Sequence, residues 1–422
     1  MRIIKILLQF FLNNFINLLV LISNFFIWRT KKIWIFGSWF GDNFSDNSRF
    51  LYQFVFENKE RYDIERVIWM TRNKEVFSLM KSLNYDVMLI NSFQAFFYHL
   101  RSGVHIICNN ASFSGYKHDI NTFLSFGAKK IQLWHGVGIK ACGRLKLKNP
   151  RAIWAQIYYS FINRYGQPGM WGRCYQLATS EENKRVVIQD YAIIPKKVIL
   201  AYYPRNCKNQ IYLKSEINVI EKLIKLKANH KIILFLPTFR KDSSNYILPE
   251  HINGFHSFLK NENYIWVQKK HSADINLGDM EDGDCVINLD TKFDVNVLYD
   301  YIDLLITDYS SASSDAIAKN KMTLEYCPDF EFYNNNDRGF VNDFALYHVE
   351  NAITNPSLLF DAINRLIVLD PSVIEKHRNV RSFLVGNREW SIEEVCDEIV
   401  LQAGIKKHSK YNHSEGEKQY ND

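Results

Sequence analysis

Short apolar runs alternate with amphipathic helical patterns along the first half of the chain. Runs of four or five mostly apolar residues predict β-strands, and the stretches between them repeat apolar residues with the period of a helix. Strands alternating with helices are typical of βαβ units, which build parallel sheets. The predicted strands are Ile33–Phe36, Val67–Met70, Asp86–Ile90, Val104–Cys108 and Lys130–Trp134, and the predicted helices are Ser48–Glu57, Lys74–Leu83 and Ser92–Leu100.

A second alternation of the same kind begins near Gln176. Two such halves predict an α/β protein with two doubly wound, Rossmann-like domains that face each other across a cleft. The expected domains are residues 33–175 and 176–405, and the polar segment 406–422 is expected to be disordered. In this half the predicted strands are Val198–Tyr202, Lys231–Leu236, Tyr264–Gln268 and Asp303–Thr307, and the predicted helices are Glu181–Tyr191, Ile217–Lys227, Gly254–Lys260, Ser310–Lys319, Ala352–Val368 and Ser391–Ala403.

The N-terminal segment, residues 1–32, predicts a membrane-associating helix. Residues 3–28 are mostly apolar, and a basic block of Arg29, Lys31 and Lys32 follows. The length suits a spanning helix, which needs about 20 apolar residues. Polar residues interrupt the run, however, and most of them fall within an arc of roughly 120° when plotted at about 100° per residue. The residues in this arc are Lys5, Gln9, Asn13, Asn17, Ser23 and Asn24, with Asn14 outside it.

A polar stripe beside a broad apolar face favours a helix lying in the membrane interface, with the basic block meeting lipid headgroups. A spanning helix and a helix docked on the protein's own core remain alternatives. No small-residue cleavage site follows the apolar run, which argues against a signal peptide.

Composition and charge narrow the classes of function. The chain has 422 residues, 47% of them hydrophobic, and a net charge of +7. A modest positive charge suits an anionic substrate or an anionic membrane surface. No long basic stripe accompanies it, so nucleic-acid binding is not indicated. The seven cysteines are scattered without a Cys-x-x-Cys pair, which argues against disulfides and a zinc site and favours a reducing cytoplasm.

Residues that follow the predicted strands are the candidates for chemistry, because ligands bind beyond the carboxyl ends of strands in open α/β sheets. His135 follows the strand Lys130–Trp134 and precedes Gly136, Gly138 and Lys140. An imidazole can act as a general base near neutral pH, and glycines let the backbone approach a ligand closely. The plainer alternative is a histidine that only hydrogen-bonds within its loop.

Two basic groups follow predicted strands in the second half of the chain. Arg240 follows one strand, and its guanidinium would offer planar, bidentate donors to a phosphate. Lys269, Lys270 and His271 follow another, which places two ammonium groups beside an imidazole. Both groups predict phosphate contacts, with a surface arginine and an ordinary basic loop as the alternatives.

Hydroxyl and acidic residues mark the end of a third strand in this half. Thr307 and Asp308 end the strand, Ser310 and Ser311 open the following helix, and Asp315 lies one turn further along. The two serines can cap the helix, and its free N–H groups can bind an anion. The alternative is a capped helix that binds no ligand.

Two further polar segments are less informative. Arg338 lies in a polar loop before Gly339 and Phe340 and is a candidate phosphate contact. The acidic cluster 281–284 has the composition of a metal site, but a solvated turn explains it more simply. No metal site is therefore predicted.

Six segments of the chain match ordered motifs of one known family. They are Trp134-His135-Gly136, Tyr203-Pro204-Arg205-Asn206, Pro237-Thr238-Phe239-Arg240, Lys269-Lys270-His271, Thr307 to Ser311 with Asp315, and Arg338-Gly339-Phe340. Together they resemble the CDP-glycerol glycerophosphotransferase family of teichoic acid synthesis. The resemblance spans residues 30–400 or so, and its specificity lies in the order of the motifs, because each motif alone is weak.

The resemblance implies both a fold and an activity. The implied fold is a two-domain, glycosyltransferase-B-like arrangement at the cytoplasmic face of the cell membrane, attached peripherally or monotopically. Members transfer glycerol phosphate, or ribitol phosphate in relatives, from CDP-glycerol or CDP-ribitol to a lipid-linked or polymer acceptor in teichoic acid or capsule synthesis. The histidines that match His135 and His271 are linked to catalysis. The positions that match Ser310, Ser311 and Asp315 contact the donor.

Three departures from the family pattern leave the identity of the polyol open. Val137 and Gly138 replace a Thr-Pro pair after the first histidine, on the acceptor side. Ser272 replaces a proline after the second histidine, and Cys207 replaces an aspartate in the Pro-Arg-Asn turn. These motifs therefore do not distinguish a glycerol donor from a ribitol donor.

The expected reaction is attack by an acceptor hydroxyl on the β-phosphorus of the donor, with CMP as the leaving group. His135 is the expected general base. The groups expected to neutralise charge on the transferring phosphate are His271, Lys269 or Lys270, and Arg240. No metal or other cofactor is expected to be obligatory. A nucleotide-sugar-dependent glycosyltransferase and a non-catalytic polymer-binding scaffold remain the alternative functions.

Overall fold

A computed structural model describes residues 2–109, 118–142, 144–145, 152–154, 157, 161, 174–208, 210–238, 246–269, 285–336 and 339–405. Four predicted site residues lie outside the described residues, namely Arg240, Lys270, His271 and Arg338. The acidic cluster 281–284 and the tail 406–422 also lie outside them.

The first sheet has seven parallel strands in the order β3-β2-β1-β4-β5-β6-β7. These are β1 (Thr30–Phe36), β2 (Arg66–Thr71), β3 (Val87–Leu89), β4 (Ser102–Ile107), β5 (Lys129–Gln132), β6 (Cys174–Ala178) and β7 (Val198–Leu200). Consecutive strands are connected by α2 (Asp46–Glu57), α3 (Lys74–Ser82), α4 (Phe93–Arg101) and, between β6 and β7, α5 (Glu181–Tyr191). β1 pairs with both β2 and β4, and its last four residues are buried on both faces, which explains its continuous apolar sequence.

The second sheet has five parallel strands in the order β10-β9-β8-β11-β12. These are β8 (Lys231–Phe235), β9 (Tyr264–Gln268), β10 (Val286–Asn288), β11 (Leu304–Thr307) and β12 (Met322–Glu325). The helices of this part are α6 (Lys214–Lys227), α7 (Phe255–Asn261), α8 (Ala312–Ala318), α9 (Phe330–Asn336) and α10 (Leu359–Val368). The predicted α/β class with parallel sheets is thereby confirmed.

Side chains before several helices set where those helices begin. Ser180 Oγ accepts the N–H of Asn183 at 3.0 Å at the start of α5. At the start of α12 (Ile392–Gln402), Ser391 and Glu394 form a reciprocal capping box. Asp370 caps α11 (Pro371–Val385) by accepting the N–H of Ser372 at 2.8 Å. Each of these bonds satisfies a backbone N–H that the helix itself leaves without a partner.

One strand assignment from the sequence is wrong. Val198–Tyr202 was expected in the second half, but Val198–Leu200 forms β7 and pairs with β6 in the first sheet. The expected division after Tyr175 falls inside β6, so the sheets divide between Leu200 and Lys231. The sequence pattern predicts where a strand lies along the chain. It does not predict the backbone hydrogen bonds to a neighbouring strand, which decide which sheet the strand joins.

The final helices of the described chain connect the two sheets. α11 packs against α8 and α5, and Thr179 Oγ1 donates to the carbonyl oxygen of Leu384 at 2.7 Å. α12 packs against α2, where the Tyr62 hydroxyl donates to Asp397 Oδ1 at 3.0 Å. A single cluster of buried apolar side chains includes residues of both sheets, among them Trp34 and Trp266. The two sheets therefore share a continuous core.

The N-terminal helix α1 (Arg2–Ser23) contacts the protein through its polar side. Asn13 and Asn17 are buried, and Val20 packs with Leu100 and Leu124. Large apolar side chains of α1 point away from the protein, with Phe11 66% exposed and Phe15 58% exposed. The helix thus docks by a narrow strip that includes Asn13, Asn17 and Val20 and leaves most of its large apolar side chains exposed, which reverses the usual burial preference.

Arg29, the first residue of the basic block after α1, does not have the predicted role. The guanidinium of Arg29 donates to the carbonyl oxygens of His99 and Ser102 at 2.6 Å and of Phe126 at 3.1 Å, so it faces the protein and not lipid headgroups. Burial lowers the pKa of Arg29 to about 10. Thr30 already belongs to β1, so the segment 1–32 extends past the helix into the sheet.

Lys31 and Lys32 are likewise engaged with the protein surface. The Lys31 ammonium donates to the carbonyl oxygen of Gly404 at 2.8 Å, and the Lys32 ammonium pairs with Asp63 at 2.9 Å. Within the described part of the chain, the structure contains no helix that combines the length and apolarity needed to cross a membrane.

Glu325 at the end of β12 gives the fold a pH-dependent stability. Its side chain is buried on the same side of β12 as Thr323, and neither carboxylate oxygen makes a well-formed hydrogen bond among the described residues. Burial raises the pKa of Glu325 to about 8. An unfolded glutamate has a pKa of about 4.3. The native state therefore binds more protons than the unfolded state between these two values, and stability falls as pH rises through that window.

We predict that Glu325→Gln stabilises the fold at pH 8.5 and weakens the decline of stability between pH 5 and 8.5. The melting temperature at pH 8.5 should rise by at least about 2 °C, the shift expected for roughly 1 kcal/mol in a large domain. Some pH dependence should remain, because burial also raises the pKa of Asp119 to about 7. Thermal melts across this pH range check it, with the exposed Glu331→Gln as control. Parallel pH profiles for parent and Glu325→Gln would contradict it.

Candidate active site

The candidate site lies where a loop after β5 meets a loop after β11. The first loop carries Trp134, His135 and Gly136, and we call it the histidine loop. The second carries Ser310 and Ser311 and leads into α8, and we call it the serine loop. Both follow the carboxyl ends of parallel strands, one in each sheet, which is where α/β proteins bind ligands.

Gly136 is the point of closest approach between the two loops. A Cβ atom placed on Gly136 would lie 2.1 Å from Ser311 Oγ and 2.6 Å from Ser311 Cβ. Gly138 is different, because the nearest atom to a Cβ placed there is Val186 Cγ1 at 4.0 Å. Glycine is thus needed at 136 for contact between the loops, whereas the described protein atoms leave room for a side chain at 138. The predicted approach of a ligand to the backbone at 138 stays a prediction.

Three successive carbonyl groups of the histidine loop are held by side chains. The Trp134 oxygen accepts from Asn47 Nδ2 at 2.8 Å, and the Gly136 oxygen accepts from the Tyr203 hydroxyl at 2.9 Å. Between them, the His135 oxygen accepts from Arg205 Nη2 at 3.1 Å. Trp134 itself has a φ of +64°, a conformation that costs a non-glycine residue energy and is maintained by such surroundings.

The His135 side chain is exposed beside an aromatic side chain that the sequence did not single out. The Trp39 ring lies 5.8 Å from the His135 ring, between centroids. The Trp39 indole donates to Asp46 Oδ2 at 3.1 Å, and its backbone N–H donates to Asn109 Oδ1 at 3.0 Å. His135 Nδ1 lies 3.4 Å from the carbonyl oxygen of Cys108. The position of Trp39 just after β1 was the available signal.

A buried carboxylate supports the loop that carries Trp39. Asp119 accepts backbone N–H groups from Phe40 at 2.7 Å, Cys108 at 2.8 Å and Asn109 at 2.6 Å. Trp39 and Phe40 both have positive φ values, of 44° and 59°. These bonds compensate for the left-handed backbone and fix the loop against the end of β4.

The serine loop uses its two hydroxyls differently. Ser310 Oγ accepts the N–H of Ala312 at 3.2 Å, as predicted for a cap. Ser311 makes no side-chain capping bond, so the expectation that both serines cap the helix is wrong for Ser311. Both residues are only partly buried, at the junction with the histidine loop. Their predicted contact with the donor stays a prediction.

Thr307 and Asp308 join the end of β11 to the loop after β8. Thr307 Oγ1 donates to the carbonyl oxygen of Leu236 at 2.6 Å. The Asp308 carboxylate accepts the N–H of Thr238 at 3.0 Å, the Thr238 hydroxyl, and the N–H of Tyr309 at 2.6 Å. Both side chains are buried in these contacts, which fix the start of the segment that leads to Arg240.

Asp315 is buried in an ion pair. Its carboxylate accepts from Arg205 Nη2 at 2.5 Å and Nε at 3.1 Å, and from Asn206 Nδ2 at 2.9 Å. Arg205 belongs to the Pro-Arg-Asn turn between β7 and α6 and was not among the predicted site residues. The pairing links positions 110 residues apart in sequence, which no local pattern reveals.

Two predicted lysines are also engaged with the protein. Lys269 Nζ donates to the carbonyl oxygen of Phe293 at 2.5 Å, and burial lowers its pKa. Lys140, expected on the acceptor side, donates to the Tyr333 hydroxyl at 2.7 Å. Tyr333 stacks on Tyr309 at 3.7 Å, so Lys140 connects the histidine loop to the second sheet.

The described part of the chain contains no group of three or more His, Cys, Asp or Glu side chains arranged to hold a metal ion. Two parallel-sheet units, with an exposed histidine and paired serines meeting between them, have the arrangement of a Rossmann-like group-transfer enzyme.

Comparison with known families gives the particular class. The family model of CDP-glycerol:poly(glycerophosphate) glycerophosphotransferases matches residues 20–397. The chain belongs to this family, which confirms the resemblance drawn from its motifs.

Characterised relatives and solved structures agree with this assignment. The teichoic acid poly(glycerol phosphate) polymerase of Bacillus spizizenii is 29% identical over 353 residues, which cover 75% of this chain and 79% of that protein. The teichoic acid glycerol-phosphate transferase of Staphylococcus aureus is 23% identical, covering 80% and 84%. The structure of the wall teichoic acid polymerase TagF superposes with a TM-score of 0.67 over 91% of both chains at 18% identity, which shows a shared fold.

We predict that Gly136→Ala destabilises the protein and that Gly138→Ala does not. Overpacking of a tight contact costs about 1–3 kcal/mol, so the melting temperature of Gly136→Ala should fall by several degrees. The double variant Gly136→Ala with Ser311→Gly should recover most of the loss, because it removes both serine atoms that the new methyl group meets. Thermal melts of the three variants check this. Equal melting temperatures for the two alanine variants would refute the steric role of Gly136.

Proposed function

We propose that the protein transfers glycerol phosphate from CDP-glycerol to an acceptor hydroxyl and releases CMP. Membership of the glycerophosphotransferase family makes the chain a transferase of this kind and carries the proposal. Two of its relatives are a poly(glycerol phosphate) polymerase and a glycerol-phosphate transferase, both of teichoic acid. One TagF structure was soaked with CDPG. CDP-ribitol is the alternative donor that the experiment below includes.

The chemistry of the step fits the position of His135. The acceptor oxygen forms a bond to the β-phosphorus, the bond from that phosphorus to the CMP oxygen breaks, and the acceptor proton needs a base. Nδ1 of His135 lies 3.4 Å from the carbonyl oxygen of Cys108 and 3.4 Å from Asn109 Nδ2, so a partner is present for either tautomer. A proton held on Nδ1 leaves Nε2 to accept the proton from the acceptor hydroxyl. The exposed ring beside the serine loop supports this role.

The predicted phosphate-binding groups divide by where they lie. Ser310 and Ser311 face the histidine loop and are the described residues that support donor binding most directly. Thr307 and Asp308 support it indirectly, by holding the loop that leads to Arg240. The roles of His271, Lys270, Arg240 and Arg338 remain those that the motifs imply.

We expect His135→Ala to lower kcat by about 10²–10⁴ while the KM for CDP-glycerol changes little, because a general base acts on the acceptor and not on the donor. CMP release from CDP-glycerol and CDP-ribitol, assayed separately with product mass analysis, measures it. His256→Ala, an exposed histidine on α7, is the matched control.

Other outcomes decide against parts of the proposal. Near-parental kcat in His135→Ala would remove its assignment as base. Turnover with CDP-ribitol only would show that the donor is CDP-ribitol and not CDP-glycerol. Release of UDP or GDP from sugar donors would identify a glycosyltransferase. Polymer binding without any turnover would indicate a scaffold.

A lipid-linked or polymer acceptor at the cytoplasmic membrane face completes the proposal. The uncovered face of α1 supports it, together with neighbouring exposed apolar residues such as Phe26 (83% exposed) and Trp154 (77% exposed). Phe10 of α1 stacks on Phe161 at 5.2 Å, which joins the helix to the segment that carries Trp154. Large contiguous apolar surfaces mark membrane or protein contacts, and an amphipathic helix can lie with its apolar face in the headgroup boundary. The acceptor would belong to teichoic acid or capsule synthesis.

The membrane proposal predicts that charge on the exposed face of α1 abolishes lipid binding. Phe11→Asp, Phe15→Asp and Leu18→Asp combined should reduce sedimentation with anionic liposomes by at least about tenfold, because burying a charge in the interface is costly. Val368→Asp with Leu401→Asp, at exposed apolar positions on α10 and α12, should bind like the parent. Deletion of residues 1–28 keeps Arg29 and β1 and should release a folded protein. Undiminished liposome binding by the triple variant would reject α1 as the attachment.

A further inference from the structure

Arg205 connects the two sheets and the histidine loop through a single buried guanidinium. It lies in the turn Pro204–Asn206 of the connection between the sheets and is 3% exposed. Nη1 donates to Asp46 Oδ1 at 2.6 Å, and Nη2 and Nε donate to Asp315. Nη2 also donates to the carbonyl oxygen of His135 at 3.1 Å. Each nitrogen of the guanidinium is therefore bonded to a group that borders the candidate site.

The two carboxylates come from opposite sides of the site. Asp46 is the first residue of α2, beside the first sheet, and Asp315 lies on α8, which follows the serine loop of the second sheet. Asp46 Oδ2 also accepts from the Trp39 indole, next to the His135 ring. Arg205 thus joins the support of Trp39, the backbone of His135 and the helix behind Ser311.

The turn that carries Arg205 makes further bonds to the same loop. The backbone N–H of Arg205 donates to Asn47 Oδ1 at 3.1 Å, and Asn47 in turn holds the Trp134 carbonyl oxygen. Tyr203 of the same segment holds the Gly136 carbonyl oxygen. The three consecutive carbonyls of the histidine loop are therefore fixed directly or indirectly by residues 203–205.

We propose that Arg205 is a positioning residue that sets His135 against the serine loop across the two sheets. Its effect on turnover rests on the proposed function. A misplacement of a reacting group by about 1 Å can cost roughly 100-fold in rate. Lysine keeps the positive charge of Arg205 but cannot form the planar fork that reaches two carboxylates and a carbonyl at once. Arg205→Lys should therefore loosen the loop while retaining most of the charge balance.

A second buried arginine provides a matched control for stability. Arg49 on α2 bonds to both carboxylate oxygens of Glu216 in the first turn of α6, at 2.5 and 2.7 Å, and lies 3.8 Å from Asp294. It therefore also joins the first sheet's side to the second with buried, bidentate geometry. Its hydrogen bonds in the described part of the chain go to Glu216 and the Ile211 carbonyl, and not to the histidine loop. Arg49→Lys tests the cost of weakening such a pair without touching that loop.

The experiment compares Arg205→Lys with Arg49→Lys in protein labelled with 5-fluorotryptophan. Trp39 and Trp134 report on the loops around His135, and Trp266 in the core of the second sheet is the internal reference. In Arg205→Lys, the fluorine signals of Trp39 and Trp134 should shift or broaden, while in Arg49→Lys they should match the parent. Single Trp→Phe replacements assign the signals. This readout needs no donor and no turnover.

Kinetics with CDP-glycerol then test the consequence for catalysis. Arg205→Lys should lower kcat by about 10–100-fold with the donor KM within threefold of the parent, and Arg49→Lys should keep the parental kcat even if its melting temperature falls. If Arg205→Lys does not fold, Tyr203→Phe serves instead, because it removes only the bond to Gly136 and should give a smaller loss of kcat in the same direction.

Each result bears on the proposal. Unchanged fluorine signals of Trp39 and Trp134 in Arg205→Lys would overturn it, as would parental kcat despite altered signals. Equal kcat losses in the two arginine variants would reduce Arg205 to a structural residue. Altered signals in a protein whose parent shows no turnover of CDP-glycerol would support the positioning of the loop and reject the proposed function.

Discussion

The buried contact of Arg205 with Asp46 and Asp315 is the interaction on which the site depends. Removing charges from water costs several kcal/mol per ion, and that cost is offset only when geometry and hydrogen bonds are complete. Here the guanidinium donates to two carboxylates and a carbonyl oxygen, and Asn206 Nδ2 donates a further hydrogen bond to Asp315. Because the partners come from both sheets and from the histidine loop, the site has this geometry only when both sheets are in place.

The N-terminal helix is also held to the protein by buried polar groups. The Arg29 guanidinium donates hydrogen bonds to the backbone carbonyl oxygens of His99, Ser102 and Phe126. These bonds hold the chain in place just before β1. α1 then packs through Asn13, Asn17 and Val20 and leaves its phenylalanines and leucines outside. The exposed phenylalanines and leucines of α1 are the observation on which the proposed membrane contact rests.

Residue type and position after a strand were the two features of the sequence that predicted residues of the candidate site. His135, Gly136, Ser310 and Ser311 were found in this way, and the structure brings the two loops into contact. Asp315 was taken for a ligand contact, but its carboxylate is bonded to Arg205. A carboxylate in the helix that follows a strand has the same sequence signature whether it binds a ligand or a distant arginine. The partner is a property of the fold, which is why Arg205, Asp46 and Trp39 were missed.

The sequence by itself determined the α/β class, the positions of most strands and the family, because local periodicity and short motifs are encoded in neighbouring residues. Tertiary structure alone decided which sheet β7 joins, since hydrogen bonds to β6 and not its three-residue pattern place it there. Tertiary structure also decided which face of α1 contacts the protein. An amphipathic pattern defines a polar and an apolar face but does not say which of them packs against the protein. The requirement for glycine at 136 follows from Ser311, a residue after a strand of the other sheet, which no local pattern around Gly136 encodes.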